Sequence, residues 1–247
     1  HEPPDKNIPA ALDPHPRTTR PATNTDLSRE RIVAAGIAIA DADGLAAVSM
    51  RRVAAELGAA TMSLYRHVPG KEELVVLMAD VALTEEPLPP DAPPGWHARL
   101  RLLAHLQWRA CHRHPWLGEA ISLSRPQALP RAMHHTEWAL RAMEGLPPKM
   151  MLYAYLTLMG FVRGSAVGLE AERRAEQDTG MTADEWTDSQ EATLRPLLTE
   201  DLPALRRLTA HAIDFDLDEL FDFGLRRLLD GFTSLFRDHL RDTVGGS

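Results

Sequence analysis

Apolar residues recur along this chain at the three-to-four-residue spacing of an α-helix, and nowhere settle into the strict alternation of a half-buried strand. Ile32, Ala35, Ile39 and Ala42 mark one such stripe. Leu217, Leu220, Phe221, Leu225, Leu228, Phe232, Leu235 and Phe236 mark another. A chain with this periodicity has to pack helix on helix. Composition agrees. Ala, Leu, Arg and Glu dominate and only 6% of the residues are aromatic, so strand formers are scarce. The hydrophobic share of 44% supports a real core, and 247 residues suit one large or two modest domains.

Punctuation residues divide the stripes. Residues 1–26 hold six prolines and no apolar period, so they read as a disordered arm. Ser28 can cap a helix over 28–43 that Gly44 ends. Ser49 can cap a second through Leu57, stopped by Gly58, and Thr61 a very short third through His67. Pro69-Gly70 breaks that one, and Lys71 opens a fourth reaching about Glu85. Five prolines then fall within residues 87–94, a stiff linker that places a domain boundary at 86–95. Beyond it, helices are predicted at 96–113, 130–144, 148–176, 182–198, 202–211 and 216–241. Thr182 and Glu185 have the spacing of a capping box.

The short runs on either side of Gly58-Ala59-Ala60 have the form of a helix-turn-helix. Its second helix enters the major groove of DNA and presents its first residues to base edges. Thr61, Met62 and Ser63 are short enough to do so, with Met62 suited to a thymine methyl. Tyr65, His67 and Lys71 can reach the flanking phosphates, which set register rather than sequence. Charge is consistent with that division. Residues 27–71 carry six bases against four acids, inside a chain of net charge −8.

The segment "SMRRVAAELGAATMSLYRHVPGKEEL", preceded by "RERIVAAGIAIADADGLAAV", resembles the DNA-binding domain of the tetracycline-repressor (TetR) family. The matching features are Gly44-Leu45, Arg51-Arg52, Ala54-x-x-Leu57-Gly58, Leu64-Tyr65-x-His67 and Lys71-x-x-Leu74. The resemblance implies that Thr61, Met62, Ser63, Tyr65 and His67 sit on the recognition helix. It also implies that Arg51 starts the supporting helix and that Lys71 opens the next. The remainder resembles the C-terminal domain of the tetracycline-repressor branch more loosely, through "HPWLGEAISLSRP" and "HHTEWALRAMEGLP". No effector is carried over from that likeness. The expected architecture is all-α: a DNA-reading domain over 27–85, and a larger ligand-binding and dimerisation domain over 96–247.

Gly160, Gly164 and Gly168 fall four apart on one helical face, where each glycine costs about 1 kcal/mol relative to alanine. Close approach of another helix explains them. With Leu225, Leu228, Phe232 and Leu235 of the last stripe they form the expected dimer interface, and the family resemblance implies the same homodimer. The alternative is that both stripes serve one protomer's core.

Between these stripes lies a set rich in Met, Trp and Tyr. Such residues are often plain core, yet methionine adapts to varied ligands and helix bundles place ligand sites between helices. Trp108, His112, Trp138, Met151, Tyr155, Met159 and Arg163 are the candidates to line an effector cavity suited to a largely apolar, ring-bearing molecule. Cys111, His112, His114 and the pair His134-His135 lack a second matched set at ligand spacing, so no metal or other cofactor is expected. The histidines read as partly exposed groups near helix ends. One cysteine excludes an internal disulfide, no run of 18 apolar residues suggests a membrane span, and the N-terminus lacks a secretory core. A cytoplasmic regulator is expected, with double-stranded palindromic DNA, a second copy and a small effector as partners, and no membrane. A helical enzyme with a DNA-reading module is the rival, but no nucleophile–base pair or phosphate loop supports it. An architectural DNA binder without a ligand is the other.

Overall fold

The computed structural model describes residues 27–123, 125, 127–211 and 215–244, with side chains through 237. The expected N-terminal arm lies outside them. All regular structure among the described residues is helical.

α1 (Arg29–Asp43) starts where the Ser28 hydroxyl accepts from the Arg31 amide, and ends where Gly44 turns at φ 83°. Only glycine takes that angle at no cost. A one-turn 3₁₀ segment (Leu45–Ala47) follows, then α2 (Met50–Glu56), capped by the Ser49 hydroxyl on the Arg52 amide. Gly58, at φ 62°, turns the chain into α3 (Thr61–Leu64). Thr61 is not the cap expected of it. The N-cap position belongs to Ala60, which offers no side-chain acceptor, so Thr61 is the first helical residue. α4 (Lys71–Leu83) closes this domain and lies against α1. The approach is close: a Cβ on Gly36 would stand 2.8 Å from the Met78 sulfur. Ile32, Val53, Leu64, Leu74 and Met78 fill the small core. Each such side chain contributes about 1.5–3 kcal/mol by leaving water.

α5 (Trp96–Arg113) runs through the centre of the second domain. The four-residue α6 (Leu117–Ala120) follows Pro115 and was not legible in the sequence. α7 (Ala132–Arg141) and the long α8 (Pro148–Thr179) pack against α5, and α11 (Leu217–Val244) packs on both α5 and α8. α9 (Ala183–Leu194), opened by the expected Thr182–Glu185 capping box, and α10 (Pro203–Thr209) bury no residue of their own.

By length and composition α8 is apolar enough to cross a membrane, contrary to the expectation that no segment qualifies. Its hydropathy comes from a mixture of Leu, Met, Val, Ala and Gly rather than from an unbroken run. In the fold it packs on α5, α6, α7 and α11 and carries the fully buried Glu170.

Candidate functional site

Two regions bear chemistry, at opposite ends of α4. At the first, α2 and α3 meet at the Gly58 turn, with the Ala59 amide donating to the Ala54 carbonyl and the Gly58 amide to Ala55. Buried Val53, Ala54 and Leu64 hold the two helices together from beneath. Met62 is then left 74% exposed, with Tyr65 exposed and Thr61, Ser63 and His67 half-buried. Tyr65 and His67 lie in the turn that follows α3 rather than on the helix, and the Arg29 guanidinium fixes that turn by donating to the His67 carbonyl at 3.2 Å. Arg51 and Lys71 are exposed at the starts of α2 and α4, and Arg66 is exposed beside Tyr65. None of these three cations has an ion-pair partner among the described residues, whereas neighbouring Arg52 pairs with Asp43. Unpaired cations around a short protruding helix can meet phosphates without first breaking internal bonds.

The second region is a cavity of about 430 Å³ in the C-terminal domain. α4 contributes Leu83, α5 Gln107 and Cys111, α6 Gly118, α7 Ala132 and Thr136, and α8 Tyr155, Met159, Val162 and Arg163. The segment after α6 supplies Ile121, Leu123, Gln127 and Leu129. Gly118 lets α6 approach α8, since a Cβ there would meet the Val167 backbone nitrogen at 3.0 Å. Burial pushes the Cys111 thiol up to about 12, so it serves as an apolar group. Burial likewise raises the Tyr155 phenol, whose oxygen lies 2.8 Å from the Thr136 hydroxyl.

Tyr155, Met159 and Arg163 thus line the cavity as expected from the sequence, but four of the named candidates do not. Trp108 faces the other way, stacked on Phe221 at 4.4 Å with its indole N–H donating to Asp218. His112 sits edge-on to Trp108 with its Nε2 3.2 Å from Asp218. Trp138 lies under the Arg99 guanidinium, and Met151 packs half-buried against the core. Leu83 and Gln107 were missed. Gln107 carried a signal, as an uncharged polar residue on the Leu100, Leu103, Ala104, Cys111 stripe; Leu83 carried none.

A joint of polar groups, with His114, Asp80 and Glu170 buried within it, ties the two regions together. Asp41 of α1 accepts from the Trp116 indole at 2.7 Å and lies 2.8 Å from His114 Nδ1. His114 Nε2 is 3.1 Å from Glu85 but out of line for a hydrogen bond. Arg109 and Arg113 clamp Glu86, holding its carboxyl near 2, with the Arg109 bonds the larger cause. Glu170 takes Arg173 and Arg174, and Arg173 reaches on to the Ala42 carbonyl. On α4 the buried Asp80 carboxylate accepts from the Arg131 and Ala132 amides, at 2.9–3.1 Å, and so caps α7. His114 and His135 are buried, not partly exposed as expected, because His114, at the end of α5, is covered by Asp41 of α1 and by Trp116, and His135 lies on the inner side of α7. No group of three metal-ligating side chains occurs among the described residues.

On the outer side, the dimer candidates divide. Leu225 and Phe232 point into the protomer, correcting their place in an interface, because the wide stripe of α11 has two faces. Leu220, Phe223 and Leu235 are exposed, and Leu228 is half-buried between the faces. On α8, a side chain added at Gly164 or Gly168 would meet nothing within 4 Å, while one at Gly160 would touch Leu123.

Residues 32–78 match the family described as bacterial regulatory proteins, tetR family, and residues 88–235 match the tetracyclin repressor-like C-terminal domain. An HTH-type transcriptional repressor, DrrR1 of Streptomyces coeruleorubidus, is 39% identical over 213 residues, covering 85% of this chain and 78% of that protein. An HTH-type transcriptional regulator of Saccharopolyspora erythraea is 31% identical, covering 72% and 70%. The crystal structure of Streptomyces coelicolor ActR in complex with actinorhodin superposes with a TM-score of 0.71 at 30% identity, covering 85% of this chain and 97% of ActR.

Proposed function

We propose that this chain, which belongs to the TetR family of DNA-binding transcriptional regulators and is no enzyme, represses its target as a homodimer and lets go when a largely apolar, ring-bearing molecule fills the cavity. Residues 27–85 read the DNA, 86–95 connect, and 96–247 sense the effector and dimerise. Arg51, Thr61, Met62, Ser63, Tyr65, His67 and Lys71 make the contacts to a palindromic operator. Such a protein works in the cytoplasm, where the chromosome is.

One observation carries the sensor reading: α4 is a single unbroken helix with Lys71 at the DNA face and Leu83 in the cavity wall. Displacing Leu83 moves the DNA-reading domain unless the helix bends, and nothing in α4 invites a bend. An effector that binds better to the displaced form favours release, and the same coupling makes DNA weaken effector binding. The exposed apolar residues of α11 and the open glycines of α8 support pairing with a second copy through a four-helix interface. The likeness to ActR, solved in complex with actinorhodin, supports a small-molecule effector.

The test is a gel shift on the DNA flanking the chain's own gene, paired with light scattering and a thermal-shift screen of aromatic natural products. Retardation as a dimer, relieved by a compound that raises the melting temperature, is the expected result. If the compounds that bind are all small, highly charged metabolites, the apolar-effector reading fails. A monomer that binds DNA at full strength removes the homodimer.

A further inference from the structure

Among the described residues the cavity lining holds a single charged side chain, and that charge has no counter-ion among them. Arg163 donates from Nε to the Ile121 carbonyl at 2.6 Å, and its terminal amino groups meet no acceptor among the described residues. No Asp or Glu among the described residues lines the cavity. Gln107 is also unsatisfied: only 8% exposed, it faces the cavity and its carboxamide has no hydrogen-bond partner among the described residues.

The other polar side chains of the lining already have partners, Ser122 among them, whose hydroxyl accepts from the Arg125 amide at 3.1 Å. Thr136 and Tyr155 bond each other. Gln127 is spent on its own loop, accepting from the Ser122 amide at 2.9 Å and donating to the Ala120 carbonyl at 3.1 Å. Two open groups therefore stand in an otherwise apolar space. An occupant that shields these groups from solvent has to supply their hydrogen bonds, because a buried cation left unpaired is costly. A neutral hydrocarbon cannot do so, and a cationic ligand adds repulsion. The Ile121 bond fixes the plane of the guanidinium, so its free edge is preset for a planar anion.

We infer that the effector is an aromatic acid, with a carboxylate or an equally acidic ring hydroxyl against Arg163 and a ring carbonyl or hydroxyl against Gln107. This rests on the cavity being the effector site proposed above. Arg163 also joins that anion to Ile121, in the segment that leaves α6, and α6 packs on α4. The acid group is thus tied to a segment that leaves a helix packed on α4.

Three probes share one ring system and differ in charge: anthraquinone-2-carboxylate, its methyl ester, and 2-(aminomethyl)anthraquinone. Each is titrated calorimetrically into the full chain and into Arg163→Met, Arg163→Lys and Gln107→Leu. The expected ranking is acid over ester by about tenfold or more, the scale of a hydrogen bond to a charged group, with the amine weakest. Arg163→Met should erase the preference by weakening the acid alone, and Arg163→Lys should retain part of it. Gln107→Leu should weaken acid and ester alike. An ester that binds as well as the acid overturns the inference, as does a preference that survives Arg163→Met, or failure of both to bind. If Arg163→Met does not fold, the wild-type ranking decides. A gel shift keeps the two readings apart. An acid bound through Arg163 that leaves the DNA complex intact sinks the effector reading alone. An ester that releases DNA as well as the acid does sinks only the aromatic-acid inference.

Discussion

Unpaired positive charge occurs at both ends of α4, in opposite surroundings. At the DNA face Arg51, Arg66 and Lys71 stand in water, exposed and without partners among the described residues. In the cavity Arg163 stands among Leu, Met and Val. Salt screens the first set over about 8 Å at physiological ionic strength, so these cations act by number and their effect can be tuned. The cavity arginine is screened far less. On the readings proposed above, one region would measure how much negative charge a surface carries, and the other would ask whether a particular anion is present.

The largest expected effect that would sharpen this contrast is on DNA binding. Replacing Arg51 and Lys71 together with alanine removes two phosphate contacts, so the slope of log affinity against log salt should fall by about two units. The loss should be nearly equal on operator and unrelated DNA. A fluorescence-anisotropy salt series measures it, and an unchanged slope would mean that these cations are not at the phosphates. Ser63→Ala should instead relax base preference at one position, by about 1–3 kcal/mol.

Stability should divide the other way. Gly118→Val forces a branched side chain against the α8 backbone, where a Cβ already comes within 3.0 Å. Overpacking of this kind costs about 1–3 kcal/mol. At about 2–4 °C per kcal/mol for a chain this size, the melting midpoint should fall visibly. Met62→Ala, at an exposed site of the DNA face, should stay within about 0.5 kcal/mol of the parent while changing operator affinity. Equal melting shifts for the two variants would break the comparison.

A smaller loss is expected for Tyr155→Phe, which removes the hydroxyl paired with Thr136. About 0.5–1.5 kcal/mol of stability should go with it. Differential scanning calorimetry would detect it, and no loss would mean that water replaces the bond.

The smallest effect is set by pH. Burial lowers the pKa of His135, whose Nδ1 has no partner among the described residues, with His134 adding to the shift and Asp80 opposing it. Its folded pKa is depressed, so the unfolded chain takes up the proton first as acid is added. Stability is therefore present above the unfolded histidine value of about 6.5 and is lost as pH falls below it. His135→Gln should flatten the fall in melting midpoint between about pH 7.5 and 5.5. A parallel fall in both proteins would assign the loss to other groups.

The DNA-reading half was readable because its determinants are local. Ser28, Gly44, Ser49 and Gly58 each fix a boundary by their own caps or turn angles, within one contiguous stretch. The cavity is assembled from five helices and a loop, and periodicity does not say which way an aromatic ring turns. Trp108 looked like lining, but Asp218, 110 residues away, accepts its indole N–H and draws it to α11. Arg163, a charge in the apolar first half of α8, was named among the lining candidates and does stand in the cavity wall. α6 was invisible because four residues between Pro115 and Ile121 make no period.

The polar joint bears on how such regulators can be recombined. The Pro-rich stretch looks like the place to cut when grafting this DNA-reading half onto another sensor. Yet Asp80 caps α7, Leu83 walls the cavity, and Asp41 and Glu85 both stand against His114. A graft joined at the linker would carry half of each partnership into a stranger and leave the buried Asp80 carboxylate without its donors. A crossover placed earlier in α4, with Asp41 matched to its new host, would keep sensor and coupling together, so the natural seam for exchange lies inside a helix.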